Sequence, residues 1–293
     1  MQHPDRAVSS ETATIVLAGL RYVVQRDFGD LPAAIAPARV SMVAVDRDGH
    51  VHVLRRGPAP VVVFDAEGGF LLSYGGGYIF DAHGITIDDQ NRVFIVDRDA
   101  HQVLCFRVDG TYMFALGERH TPHWQDPFNH PTKVAVAADG DIYVADGYGN
   151  ARVHRFDGTG RLTSSFGVVG HGPGAFMTPH SILVDNHDRV LVCDRENDRV
   201  QVFDRAGAWL ASWDGLCRPM DLCALPGGRI LVTDQVPSLT AFDPDGARLG
   251  RARPSLNGAH GIAVDNRGSL YLAEIDPSSI TKLTVQGADS KAP

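Results

Sequence analysis

ILVDNHDRVLVCDRENDRVQVF, residues Ile182–Phe203, is the stretch on which the fold turns. Three apolar runs, ILV, VLVCD and VQVF, are separated by short turns rich in Asp, Asn and Arg. Runs so short cannot be helices, and their alternation with polar turns describes neighbouring antiparallel strands. The same opening recurs as VAVDRDG at Val43, ITIDDQN at Ile85, VAVAADG at Val134, LCALPGG at Leu222 and IAVDNRG at Ile262, and the six starts are 42, 49, 48, 40 and 40 residues apart. Each is followed by a second strand (VHVLR, VFIVD, IYVAD, VLVCD, ILVTD, LYLAE) and a third (VVVF, VLCF, VHRF, VQVF, LTAF, ITKL), and most units close with a fourth, such as TYMFALG or RLTSSFG. Four short strands every 40 to 45 residues or so is the spacing of propeller blades. The expected fold is all-β, a six-bladed β-propeller.

The sixth unit stops at Thr281–Val285 without a fourth strand, while the N-terminal stretch Tyr22–Gly29, YVVQRDFG, belongs to no unit. Pairing the two in one blade closes the ring and removes the open edges of a broken one. One propeller is then expected over 14–286, with 1–13 and 287–293 as loose ends.

Composition narrows the partner. With 44% hydrophobic and 21% charged residues the chain has the material of a globular core. A formal charge of -8 without a basic cluster argues against nucleic acid. The apolar run Thr12–Leu20 is too short to cross a bilayer, so no membrane is expected. Met1–Glu11 carries Asp5, Arg6 and Glu11 and no small-residue cleavage pattern follows, so the expected location is cytoplasmic. Cys105, Cys193, Cys217 and Cys223 show no CxxC spacing and are expected to be reduced and buried. A small molecule is the expected partner.

The innermost strand of each blade lines the channel, so equivalent positions on the six inner strands form a ring. Two residues before each apolar start stand Ser41, His83, Thr132, His180, Met220 and His260. Every second blade supplies a histidine, which sets three imidazoles about 120° apart around the axis. Three His nitrogens with an open fourth position is the arrangement of catalytic zinc; Mn, Fe, Co or Ni suit the same donors. With 13 His among 293 residues, chance fills three specified slots about once in 10⁴.

Other departures from the repeat mark further candidates. The second strand ends in an acid in five blades, Asp97, Asp146, Asp194, Asp234 and Glu274, each expected to cap the turn that follows. Blade 1 has Arg55 and Arg56 there instead, and Arg56 is the better candidate to clamp a carboxylate at the channel mouth. In blade 3 the same turn reads DGYGN, where Gly147 and Gly149 flank Tyr148. Tyr148 is either a base near a metal or an aromatic filling the mouth. His120, His123 and His130 offer an HxxH spacing on a long loop and read as surface residues.

Together, HGITID at His83, PTKVAV with DGYGNARV around Tyr148, GAFMTPHSILV through His180, CDRENDRVQVF from Cys193 and AHGIAVD at His260 resemble the peptidyl-α-hydroxyglycine α-amidating lyases, which are six-bladed NHL-repeat propellers. The resemblance runs from about Val43 to the C-terminus. It implies zinc on His83, His180 and His260, an active-site arginine at Arg56, a catalytic tyrosine at Tyr148, and cleavage of an N-acyl-α-hydroxyglycine into a primary amide and glyoxylate. In that family an acid after the third histidine binds a structural Ca²⁺ together with carbonyls that correspond to Val43 and Ile85. Gly261 stands at that position here and argues against calcium. The family's methionine before that histidine is Gly258, and a disulfide cysteine after its tyrosine is Gly149. With these changes near the substrate, and no companion monooxygenase within the repeats, a small carbinolamide or hydroxy acid is expected rather than a peptide. A metal-dependent hydrolase or lactonase, or a non-catalytic NHL scaffold, remains the alternative.

Overall fold

The computed structural model describes residues 13–255 and 257–286. Apart from one turn of 3-10 helix at Arg195–Asn197, all its regular structure is β. The inner strands of blades 1 to 6 are Arg39–Val45, Ala82–Ile87, Lys133–Val136, Pro179–Val184, Pro219–Ala224 and Ala259–Val264. Each packs against the next, and the last packs against the first, so the ring closes. Blades 1 to 5 are four-stranded antiparallel sheets in chain order. One apolar cluster lies between each pair of neighbouring blades, such as Phe94, Phe128 and Phe156 between blades 2 and 3. The six-bladed propeller expected from the repeats is the fold observed.

Blade 6 is completed by the N-terminal chain, but over a different span than expected. Leu20–Gln25 pairs antiparallel with Ser279–Val285, Tyr22 standing opposite Val285. Asp27 and Gly29 adopt positive φ (53° and 101°) and turn the chain out of the sheet, while Phe28 packs edge-on against Tyr271. A fifth strand, Thr14–Leu17, doubles back on Leu20–Gln25. Ala18 and Gly19 between them both have positive φ, the signature of a two-residue hairpin turn. The stretches expected to be loose, 1–13 and 287–293, lie outside the described residues except for Ala13, whose carbonyl accepts the Val24 N–H.

The acids that end the second strands do not cap the turns that follow them. Asp97 accepts the backbone N–H of Phe80, Asp146 that of Asn129, Asp194 that of Met177, Asp234 that of Cys217 and Glu274 that of Asn257, in every case 17 residues upstream. They anchor the loop that leads into the inner strand of the same blade and so fix the approach to the ring. The turns after the inner strands are held by other acids, as where Asp185 accepts from His187 and Arg189 N–H. All four cysteines are free thiols. Cys105, Cys193 and Cys223 are buried, but Cys217 lies half-buried on the loop before the inner strand of blade 5. No helix among the described residues is long and apolar enough to cross a membrane.

Candidate metal centre

A β-bulge aims five of the six ring residues, Thr132 being the exception. The pairing of inner and second strand slips between Val40 and Met42, Ala82 and Gly84, Pro179 and Ser181, Pro219 and Asp221, and Ala259 and Gly261. Ser41, His83, His180, Met220 and His260 are the extra residues, and a bulge re-aims the side chain it carries. The rings of His83, His180 and His260 lie 5.1, 5.0 and 5.0 Å apart, a nearly equilateral triangle. The structure thus brings together the three histidines that the repeat arithmetic singled out, and a nitrogen of each lies within 4.8 Å of the others.

Backbone carbonyls decide how these rings are protonated. Nδ1 of His83 lies 2.8 Å from Thr132 O, that of His180 2.7 Å from Met220 O, and that of His260 2.8 Å from Ser41 O. A carbonyl only accepts, so each Nδ1 carries the hydrogen and donates, and each Nε2 keeps its lone pair. This is the outer-shell pattern of metal-ligating histidine. Burial pushes all three imidazoles down, His260 to about 4, so they are neutral donors at pH 7.

The DGYGN and DREN motifs complete the site. Gly147 passes so close to blade 4 that a Cβ there would land on the Pro179 carbonyl. That approach carries the Tyr148 hydroxyl to 3.1 Å from Nε2 of both His83 and His180. Arg195 Nη1 donates to the Tyr148 oxygen at 3.2 Å, and Glu196 holds the other edge of Arg195 at 2.7 Å. Asn197 and Asn150 brace the anchoring acids Asp194 and Asp146. Arg98 and Arg195 stand over the Tyr148 ring at 5.5 and 5.3 Å.

Arg56 reaches the same mouth, where its charge bears on His83 and His260. Among the described residues its one ion pair is a loose one with Asp81 at 3.5 Å, whereas Arg98 meets Asp81 at 2.7 Å. Burial raises the Asp81 carboxyl against the pull of Arg56 and Arg98. Arg55 turns away from the mouth and donates to Ala36 O. His120, His123 and His130 do not converge; His123 pairs with Glu118 and His130 packs against His101. Arg98 and Arg195 were missed by the sequence reading. Both follow the second-strand acid directly, as Arg56 follows Arg55, so the same alignment carried one residue further holds the signal.

The NHL repeat model matches residues 81–106, 128–156 and 176–203, the first three strands of blades 2 to 4. A probable peptidyl-alpha-hydroxyglycine alpha-amidating lyase of Caenorhabditis elegans is 29% identical over 76% of this chain and 69% of its own. NHL repeat-containing protein 3 of Mus musculus is 31% identical over 86% of this chain and 71% of its own. This chain belongs to the NHL-repeat family that contains both. Among solved structures, a gluconolactonase of Xanthomonas campestris superposes with a TM-score of 0.68 over 92% of this chain and 91% of its own, at 16% identity, a likeness of fold alone.

Within this NHL propeller, the layer next to the histidines holds a buried ion pair. Lys133 of blade 3 reaches across blade 4 to Asp221 of blade 5. Asp221 also accepts from the Ser181 hydroxyl and from Leu222 and Ile262 N–H. Gly261 belongs to the same layer and offers no side-chain oxygen.

Proposed function

We propose that this chain is a metal-dependent lyase that cleaves the C–N bond of an α-hydroxyglycine-like carbinolamide, releasing an amide and glyoxylate or a related aldehyde. The observation that carries the reading is the Tyr148 hydroxyl set against the Nε2 atoms of a three-histidine triangle. Three Nε2 lone pairs face one another in a buried site with a single phenolic hydrogen near them, a donor set that suits a divalent cation such as zinc. His83, His180 and His260 would hold it. When bound, such an ion supplies positive charge that polarises a substrate oxygen. Calcium is not part of the proposal, since Gly261 brings no carboxylate and the Lys133 ammonium already stands in that layer.

Once its own hydrogen has been given up, which the charge of Arg195 and of a bound ion would favour, the Tyr148 oxygen takes the α-hydroxyl proton. The C=O bond forms as the C–N electron pair leaves to nitrogen, and Tyr148 returns that proton to the nitrogen to give the amide. Arg195 holds the Tyr148 oxygen in place. Arg56, the least tightly paired guanidinium at the mouth, swings to the substrate carboxylate. Arg56, Arg98 and Arg195 together favour an anionic substrate over a neutral one.

The test is glyoxylate release from N-benzoyl-α-hydroxyglycine by protein whose metal content has been measured. About one ion per chain and turnover are expected, with Tyr148→Phe slower by roughly 10²–10⁴-fold at unchanged metal content. A folded protein that holds no metal would overturn the proposal in favour of a scaffold. Hydrolysis of lactones without carbinolamide cleavage would replace the lyase by a hydrolase.

A further inference from the structure

We propose that the cavity between blades 6 and 1 binds an apolar monocarboxylate at a site separate from the histidine centre. The cavity holds about 510 Å³, within the range of small-molecule pockets. Phe28, Val53, Val62, Phe64 and Ile280 wall it and are all buried. Of the two guanidiniums on its lining, that of Arg39 is exposed at the rim, while that of Arg55 stands among the buried walls and is only 3% exposed. Its Nη2 donates to Ala36 O at 2.7 Å, while its Nε has no partner. No carboxylate pairs with it among the described residues.

A buried cation with an unused donor is costly unless something completes it. The repeat does not require it, because the same slot is an acid in the other five blades. At the rim, Asp27 and Arg39 offset one another and leave Arg55 as the net charge, and the exposed Leu31 and Pro37 extend the apolar wall outward. A ligand with one carboxylate to accept from Arg55 and a hydrocarbon body to cover the aromatic walls matches both features. A dianion would bury a second charge with no partner, and an amphipathic amine would meet Arg55 with like charge.

Decanoate, decanol and decylamine, titrated into the full chain and followed by methyl NMR, test this. Decanoate is expected to shift the Val53, Val62 and Ile280 methyls saturably and to bind tenfold or so more tightly than decanol. Decylamine should not bind. Arg55→Lys should keep the preference for decanoate and Arg55→Met should abolish it; if Arg55→Met does not fold, the wild-type comparison with decanol decides. Equal affinity for decanoate and decanol, or no saturable shift at these methyls, would overturn the proposal. So would shifts that spare Ile280 and vanish in His180→Ala, which would place the ligand at the histidine centre. Decanoate binding unchanged in His180→Ala would support two independent sites, whatever the fate of the lyase reading.

Discussion

Replacing Asp221 by Ala is expected to cost more stability than any other single change in the channel. The carboxylate is fully buried, ion-paired with Lys133, and bonded to the Ser181 hydroxyl and to Leu222 and Ile262 N–H. Truncation strands an ammonium whose side chain is 8% exposed, together with two backbone donors. Removing one partner of such a pair costs about 3–5 kcal/mol, a large share of the roughly 5–15 kcal/mol that holds a domain folded. Lys133→Met strands the carboxylate in turn but should stay at the lower end of that range, about 3 kcal/mol, because the carboxylate keeps its three hydrogen bonds and the new side chain refills the stem. The double variant strands no charge, so its cost should fall short of the sum by about 2 kcal/mol. Urea unfolding followed by tryptophan fluorescence and far-UV circular dichroism measures all three, provided the two transitions coincide. The change should also reach the histidines. Met220, whose carbonyl holds His180, adjoins Asp221, and Ile262 lies two residues past His260. Metal affinity, read by competition with a chelator, should fall about 10–100-fold in Asp221→Ala. Equal costs for the two single changes with an additive double variant would refute the asymmetry, and unchanged metal affinity would refute the positioning role.

Gly147→Ala should leave the fold intact but push Tyr148 off the histidines, lowering turnover about 10²-fold with metal still bound; an unaltered rate would show that the Pro179 carbonyl yields to the new methyl. Stripping the metal should lower the melting temperature by about 5–15 °C, the effect of an ion held at 100 to 1,000 times its Kd, and His260→Ala should melt at the stripped value with or without added zinc. In blade 1, burial raises Asp46 but its bonds from His52 and from the His50 backbone N–H outweigh that and bring it to about 2. Because the folded value is the lower one, its stabilisation is complete above the unfolded value near 4 and lost as pH falls toward 2. Asp46→Asn should flatten that part of the acid unfolding curve by about 1–2 kcal/mol, after allowance for solvent screening. An identical curve would mean that Asp46 keeps its ordinary pKa in the folded protein.

How far the site could be read from sequence follows from what a repeat does. A closed array converts position along the chain into angle around an axis, so histidines at equivalent positions in alternate blades must meet, and His83, His180 and His260 do. The same conversion places Arg56, Arg98 and Arg195 around the mouth, one residue past the position of the second-strand acid, which is Arg55 in blade 1; of that layer only Arg56 was read, because the acids before Arg98 and Arg195 look complete as turn caps. What the strand pattern does not convey is which group the acid meets. Asp97, Asp194 and their counterparts bind N–H groups a constant 17 residues upstream, in register with the repeat, but on loops with no residue type common to all five, and only the three-dimensional path shows that those loops come back. The bulges that aim the ring residues are equally silent, since an extra residue in one strand leaves the alternation of apolar side chains on either side undisturbed. Lys133 and Asp221 show the same limit from the other direction. Each reads alone as a charge on an apolar strand and therefore as an error in the pattern, and only the curvature of the ring, which brings blades 3 and 5 together past the inner strand of blade 4, turns two errors into one buried pair.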